Sequence, residues 1–571
     1  MRNIELDNTI ETSTGGTQYI LPTWQDELSK DLTDKKREFL NFYFTNVDGD
    51  VHAIRGTMPP VLAAALITRF SRAQETDITE IFWNEFVNDT ELGIKNIAES
   101  LVESGGLEQA LAEEQASALI RRVVDKFGDD SVREQASGYV IFQDTSVLFS
   151  LQAFRHPLVT GIEASTRYID WGEKDENGEY RYVVPDALKG TKHEDVYKEA
   201  MDGLFETYKE LWEPVEAHIV KTNPRPDNVS EGAYKIAVKG RVLDNLRKLL
   251  PLGIKTNFGV HATYRSLSEL AMNLKASGLE EARSSADKMT EELMKVNPEF
   301  MAVVDSQHGA SWVEHRRKTR EALTEFSLPR EVEEDITPSV EVEVLNKDYL
   351  RDLVVGAISY VNPSLEEKET NALATEIIAD GSYKELLVKI GRARGNRRHK
   401  LPDFLQRVVI RMKFRGISFG SAKDFNRHRY NLDKIEIDWS CRSGIYIPKD
   451  IEVIGGAVKE KYLGAQRKAL KIIRKIAKDF PEEARMLFSH GMKTVLEIVA
   501  GLGQAYWVPE LRSIASGDPE YRWFAQEDNR KLEEAMPEVK LVGNFVDTND
   551  YTVGRIGEAV RADLKGTSAA E

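Results

Sequence analysis

Apolar residues recur at three- and four-residue spacing through most of the chain, the rhythm of amphipathic helices. This spacing predicts helices over Leu62–Arg72 (entered through Met58-Pro-Pro, since proline is tolerated in a first turn), Ile78–Phe86, Ile94–Ser104 and Leu107–Phe127. Longer ones follow at Glu194–Thr222, Ser230–Leu250 and Phe258–Met294. Between the two sets lies a largely apolar run, Tyr139–Phe149, then a polar cluster, then a short strand at Arg181-Tyr-Val-Val-Pro185. After an acidic, irregular stretch at 329–344 the order resumes. Helices are expected over Lys347–Ser359 and Leu365–Ala379, the second capped by Ser364. A second strand signal, Ile445-Tyr-Ile-Pro448, echoes Val183-Val-Pro185, and helices over Ile451–Phe480, Pro481–Leu502 and Gly503–Met536 close the chain. At the other end, residues 1–40 are polar apart from a short helical signal near Trp24–Phe39, and Phe42–Ile54 alternates around Asp48-Gly49 like a hairpin.

One order of elements therefore occurs twice. The expected fold is α+β, two similar helix-rich halves: an extension at 1–40, a first half at 41–328, a linker at 329–344 and a second half at 345–571. Length alone would suggest roughly three to five domains; the repeat reduces these to two large ones.

The polar cluster after the apolar run is Gln152-Ala-Phe-Arg155-His156-Pro157, followed by Glu163-Ala-Ser165-Thr-Arg167-Tyr168. Its partial echo is Phe425-Asn-Arg427-His428-Arg429, with Glu436, Ser440 and Arg442 beyond. The Arg-His pair thus recurs after 272 residues (427 minus 155). Arginines beside a carboxylate and a hydroxyl suit a small anionic ligand.

Composition limits the partners. A net charge of −17 argues against a non-specific nucleic-acid binder but leaves room for local arginines around a small anion. The single cysteine, Cys441, excludes an intramolecular disulfide and a multi-cysteine metal site, and reads as a small packed residue. No metal site is expected: His308 and His315 lie seven apart with no carboxylate cluster, and read as surface residues. The basic run Arg392–Arg398 reads as a solvated loop. No apolar run of membrane-spanning length occurs, and the first residues lack a signal-peptide core, so a cytoplasmic chain is expected.

These motifs resemble the flavin-dependent thymidylate synthase family, whose signature is Arg-His-Arg, a short variable run, then Glu-x-Ser-x-x-Arg or a close variant. The first half matches it through Arg155-His156 and Glu163-Ala-Ser165-Thr-Arg167-Tyr168, with Pro157 in place of the second arginine. The second half keeps Arg427-His428-Arg429 intact, but Glu436, Ser440 and Arg442 are spaced differently. The family also carries an arginine followed 27 residues later by Leu-Arg, a spacing met by Arg485 and Leu511-Arg512 (512 minus 485). Arg247-Lys-Leu-Leu-Pro and Arg265 continue the match in the first half, where Leu274-Lys275 is one residue out of step; Gly503 stands opposite Arg265. His399 matches a family histidine near the flavin, where the first half has Asp129.

The resemblance implies an antiparallel sheet with long helices in each half. It implies conversion of dUMP to dTMP with methylenetetrahydrofolate and NADPH as co-substrates and FAD as cofactor. On that basis Gln152, Glu163, Ser165, Arg167, Arg247, Arg485 and Arg512 are expected at the nucleotide. Ser165 and Arg512 are the candidates for chemistry. Arg155, His156, Arg265, His399, Arg427, His428 and Arg429 are expected at the flavin. Each half has lost roughly what the other keeps, so one complete kind of site is expected to be assembled from both. Because family sites lie between subunits of a homotetramer, a homodimer of tandem chains, a pseudo-tetramer, is expected. Pro157 removes both a cation and a backbone donor. It therefore keeps open a non-catalytic nucleotide- or flavin-binding relative, or a related folate- or flavin-dependent pyrimidine methylase.

Overall fold

The computed structural model describes residues 9–11, 17–19, 32–48, 51–58, 60–70, 77–87, 130–325, 335–428, 433–434, 439–440, 443–551, 556–557 and 560. The helices expected at Ile94–Ser104 and Leu107–Phe127 lie outside these residues, as do Asp129, Arg429, Glu436, Cys441 and Arg442.

Near the N-terminus, α1 (Leu32–Tyr43) and α2 (Pro60–Phe70) pack with the segment at 78–87 around a small separate core of Phe39, Tyr43, Phe44 and Phe82. Among the described residues the expected hairpin shows one antiparallel bridge, Phe44 to Ile54, because α1 runs on through Phe42 and Tyr43.

The first half proper begins with β1 (Ser137–Ser146), which runs directly into α3 (Val147–Ala153). The Ser146 side chain caps the helix by accepting from Phe149 N. Next come β2 (Thr160–Glu163), α4 (Glu194–Glu210), α5 (Trp212–Thr222) and α6 (Glu231–Leu246). The single helix expected over Glu194–Thr222 is broken at Leu211: Pro214 has no N–H, and its ring collides with the carbonyl of Glu210. The helix expected over Phe258–Met294 is instead β3 (Lys255–Thr263) followed by α7 (Tyr264–Lys275) and α8 (Glu280–Val296). Phe258, Val260 and Ala262 are buried at every second position, a strand period that the helical stretch after it masks. The three strands form an antiparallel sheet in the order β1-β3-β2. α9 (Gln307–Thr324) ends the half.

In the second half, the last residues of the expected linker form β4 (Ser339–Val344), an edge strand. Then follow α10 (Tyr349–Val361), α11 (Glu367–Asp380) and α12 (Tyr383–Ala393). β5 (Val409–Ser418) runs straight into α13 (Phe419–Asn426), capped by Ser418 as Ser146 caps α3. β6 (Asp433–Lys434), α14 (Gly456–Ile476), β7 (Lys493–Gly501), α15 (Leu502–Arg512) and α16 (Pro519–Ala535) complete it. The sheet order is β4-β5-β7-β6, all antiparallel. Three helical expectations are corrected here. Ile451–Phe480 is interrupted at Gly455, which has φ +62°. Pro481–Leu502 is a four-residue helix, a tight turn and β7, whose apolar residues occupy both faces. Gly503–Met536 is split where Asp518 caps a new helix with Pro519 in its first turn.

The halves repeat in detail. Both long strands carry a bulge at a residue with positive φ, Asp144 (+54°) and Gly416 (+67°), again 272 apart (416 minus 144). Ser146 N donates to Glu281 on α8, and Ser418 N donates to Glu520 on α16. Single bridges, Tyr182 to Ile254 and Ile445 to Met492, mark the echoing Val-Pro and Ile-Pro segments.

The halves meet around a local two-fold. Gly253 N donates to Met486 O at 2.7 Å, and Gly491 N donates to Lys248 O at 2.7 Å. Leu252 N donates to Phe488 O at 2.8 Å, and His490 N to Leu250 O at 2.9 Å. Each pair exchanges under one shift of 238 residues (491 minus 253; 486 minus 248). One hydrophobic core runs through both halves.

The outer faces of the two sheets differ. In the second half it is covered by cross-strand ion pairs, Lys413–Glu497 at 3.2 Å, Arg415–Glu341 at 3.7 Å and Arg411–Glu343. In the first half it is apolar and open: in the largely apolar run Tyr139 is 77% and Ile141 73% exposed, with Ile162 85% exposed on β2.

Candidate functional site

The sharp turns from β1 into α3 and from β5 into α13 deliver the two Arg-His motifs to helix ends. The two-fold contact brings the second of these motifs beside the first half's loop. There Glu163, at the end of β2, is fully enclosed and receives Lys423 Nζ at 2.7 Å, Arg427 Nη2 at 2.6 Å and the Ser150 hydroxyl at 2.5 Å. Burial pushes the Glu163 carboxyl up, but Lys423 and Arg427 overcome it and hold it below the usual range.

Arg167 lies in the loop beyond β2. Its Nε and Nη2 donate to the two oxygens of Asp244 on α6 at 2.8 and 3.1 Å, a bidentate pair. Nη2 also reaches Ser516 O at 2.8 Å, and Nη1 reaches the Tyr521 hydroxyl at 3.1 Å, so the second half closes over it. One turn on, Arg247 Nη2 donates to Asp518 at 2.6 Å and faces Asp424 at 3.6 Å. Its neighbour Lys248 donates to Ser418 at 3.0 Å and pairs with Glu520. On the far side Arg512, in the last turn of α15, donates from Nε to His428 Nε2 at 3.0 Å and from Nη2 to Asp424 O at 2.6 Å. Arg167 and Arg512 both lie over the Tyr521 ring, at 5.6 and 5.7 Å.

The arrangement is a nearly balanced, largely buried lattice with Arg427 at its exposed edge. Among the described residues six cations (Arg167, Arg247, Lys248, Lys423, Arg427, Arg512) face five carboxylates (Glu163, Asp244, Asp424, Asp518, Glu520), a surplus of one positive charge. Burial raises the Asp518 carboxyl, yet Lys248, Arg247 and Arg167 hold it well below the ordinary range. Asp424 is treated the same way by Arg247, Arg512, Arg427 and Arg167.

Of the residues singled out in the sequence, Glu163, Arg167, Arg247, Arg427, His428 and Arg512 come together in this one cluster. Ser165 stands beside it, its hydroxyl accepting from Arg167 N at 3.2 Å. Others lie elsewhere. Gln152 accepts from the Ser277 hydroxyl at 2.7 Å. Arg485 pairs with Glu482 at 2.5 Å and lies 5.1 Å over Trp439. Glu482 abuts Gly278, so Gln152 and Arg485 border the two-fold counterpart of the cluster rather than the cluster itself. His156 meets Glu269 at 3.2 Å; Arg265 reaches Glu134 at 2.9 Å and Glu269 at 3.3 Å, all within the first half. His399 is held in its own loop by Gly395 N at 3.0 Å. Arg155 and Pro157 are exposed.

Sequence reading missed the carboxylates Asp244, Asp424, Asp518 and Glu520, together with Lys248, Lys423 and Tyr521. Two signals existed. Asp244 lies three residues before Arg247 just as Glu482 lies three before Arg485, and Asp518-Pro519-Glu520 is a helix-start pattern. Among the described residues no group of three or more metal-ligating side chains occurs, and no helix is long and apolar enough to cross a membrane.

Residues 85–299 and 352–538 each match the family described as thymidylate synthase complementing protein. A UPF0159 protein of Chlamydia muridarum is 28% identical over 541 residues, covering 93% of this chain and 98% of that one. One of Chlamydia pneumoniae is 27% identical over 543 residues (94% and 98%), and one of Thermoplasma acidophilum 24% over 528 (88% and 98%).

Proposed function

The chain belongs to the thymidylate synthase complementing protein family, matched once in each half, and from that premise we propose that it is an FAD-dependent thymidylate synthase-like methyltransferase. It converts dUMP to dTMP with methylenetetrahydrofolate and NADPH, in the cytoplasm, at a site assembled from both halves. One observation carries this reading: Glu163, Arg167 and Arg247 of the first half lie in one cluster of charged side chains with Arg427, His428 and Arg512 of the second, gathered around Asp424.

The donor set fits a nucleotide monophosphate. Planar guanidiniums bind phosphate oxygens two at a time, and the cluster carries a surplus positive charge. Arg167 and Arg247, with the Ser165 hydroxyl beside them, take the phosphate by exchanging Asp244 and Asp518 for it. Arg512, fixed by His428 and the Asp424 carbonyl, stabilises negative charge developing on the pyrimidine. Arg427 and His428 are the residues that would hold the flavin here, with Glu163 orienting Arg427. The bound flavin supplies the hydride and the folate the one-carbon unit. The expected homodimer is supported by the open apolar face of Tyr139, Ile141 and Ile162.

A second reading, a non-catalytic nucleotide-binding relative, is favoured by the carboxylate partners that Arg167 and Arg247 already have and by the exposed Pro157. Two measurements on the purified chain separate them. A yellow protein that releases tritium from position 5 of dUMP with methylenetetrahydrofolate and NADPH supports the enzyme. A colourless protein that binds dUMP without release supports the second reading, and no dUMP binding sinks both.

A further inference from the structure

A small cavity lies beside the Arg512–His428 pair, between α15, α16 and β5. Its walls are apolar (Met412, Phe414, Phe425) except for His428, Gln504 and Asp528. Asp528, on α16, is 1% exposed, and neither of its carboxyl oxygens has a hydrogen-bond partner. Gln504 is 6% exposed, and its Nε2 also lacks a partner. The space open to the centre of a water is ≈ 10 Å³, about what one water needs.

Two unpartnered polar side chains, Asp528 and Gln504, facing a void of this size are a costly arrangement if left dry, since each unmade buried hydrogen bond carries a desolvation penalty. Burial, with no charged neighbour offsetting it, pushes the Asp528 carboxyl well above the usual range, toward the protonated form that can both donate and accept. The histidine is likewise defined. A guanidinium only donates, so the Nε2 that receives Arg512 Nε at 3.0 Å presents its lone pair, which leaves Nδ1 as the ring nitrogen that carries a proton.

The first half supplies a comparison within the same chain. Glu281 and Glu520 occupy matching places, each bonded to the serine at the end of its long strand. Eight residues on from each stand Met289 and Asp528, and Met289 is a buried apolar residue, 2% exposed. The histidine of that half, His156, meets Glu269 instead of an arginine. The buried acid thus accompanies only the histidine that faces the cation cluster.

We propose that this cavity is a built water site. The Asp528 carboxyl and the Gln504 amide hold one water against the His428 ring, which makes Asp528 a positioning residue for His428 and, through its Nε2, for Arg512.

The test is nuclear magnetic resonance on the full chain with ¹⁵N-labelled histidine, the His428 signals being assigned by His428→Gln. It needs no substrate, so its failure is separate from failure of the proposed activity. In the wild type, His428 is expected as the Nδ1–H tautomer with a cross-peak to a long-lived buried water. Asp528→Asn, which can still hold a water, keeps both. Asp528→Met, the residue of the first half, folds with an unchanged or higher Tm, loses the water cross-peak and moves the His428 ring nitrogen signals. Should Asp528→Met fail to fold, Gln504→Met is read in the same way. Absence of the water in the folded wild type, or His428 signals unmoved by a folded cavity-filling variant, overturns the proposal.

Discussion

Asp244 and Asp518 are the residues on which the proposed binding event turns. Both occupy the guanidiniums that the nucleotide phosphate needs, at 2.8 and 2.6 Å. Removing one such competitor has opposite effects on stability and on binding. Asp244→Asn is expected to weaken folding, since breaking one partner of a buried pair costs about 3–5 kcal/mol. It is expected to tighten dUMP binding, because the phosphate no longer displaces a carboxylate; calorimetric titration and a melting curve check the two signs. Arg167→Ala loses charge-assisted bonds worth about 1.5–3 kcal/mol, a dUMP affinity loss on the order of tenfold to a hundredfold. Glu163, Asp424 and Asp518 are all held below their ordinary range, against burial, by neighbouring cations. A carboxyl lowered in the folded state contributes its full stability above its unfolded value, about 4, and loses it as pH falls through the lowered one. The melting temperature is therefore expected to fall steeply on acidification below about pH 4–5, and Asp518→Asn to flatten that dependence.

At the level of elements, the sequence was a good guide to helices that repeat and a poor one to strands feeding helices. Phe258, Val260 and Ala262 mark β3 by alternation, but the strand runs without a break into α7, and the longer helical pattern absorbed it. β7 defeated the same test because Val495 and Val499 make its second face apolar too. The broken helices were legible in hindsight from Pro214, Gly455 and Asp518-Pro519, each a local stop or start. For the candidate site, the signature motif pointed to Glu163 and Arg167, which lie in the cluster, whereas their partners did not show. Asp244 is 77 residues from Arg167, and Tyr521 is 354 away, so only the tertiary fold relates them. The bulge of β5 gives an element-scale test. Gly416 sits at φ +67°, and a Cβ there would come within 2.8 Å of Ile336 O. Gly416→Ala is expected to cost at least about 1–2 kcal/mol from the backbone alone, read as a lower denaturant midpoint with an unchanged slope.

For the whole molecule, the two-fold produces two related sites that have diverged. One holds the six-cation cluster; its counterpart is bordered by Arg485, which lies over Trp439, and by Gln152, bonded to Ser277. A flavin stoichiometry of one per chain follows from the proposed function, and two per chain measured by absorbance would contradict the idea of a single complete kind of site. The open face of Tyr139, Ile141 and Ile162 belongs to the same scale. Ile141→Lys combined with Ile162→Glu is expected to leave the fold intact and convert a dimer to a single chain in sedimentation, while wild-type chains sedimenting singly would remove that face as an interface.

The reciprocal backbone bonds at the axis, Gly253 to Met486 and Gly491 to Lys248, are made by peptide groups and so take no account of side-chain identity. In a pair of identical subunits every substitution appears on both sides of the axis at once, and a change that helps one cleft is imposed on the other. Here the joint keeps its symmetry while the two sides carry separate letters, so Asp528 is free to change without Met289, and Arg167 without its opposite number. Covalent fusion has made the symmetry axis a hinge of descent: the frame is inherited twice, and each copy of a position answers to selection alone.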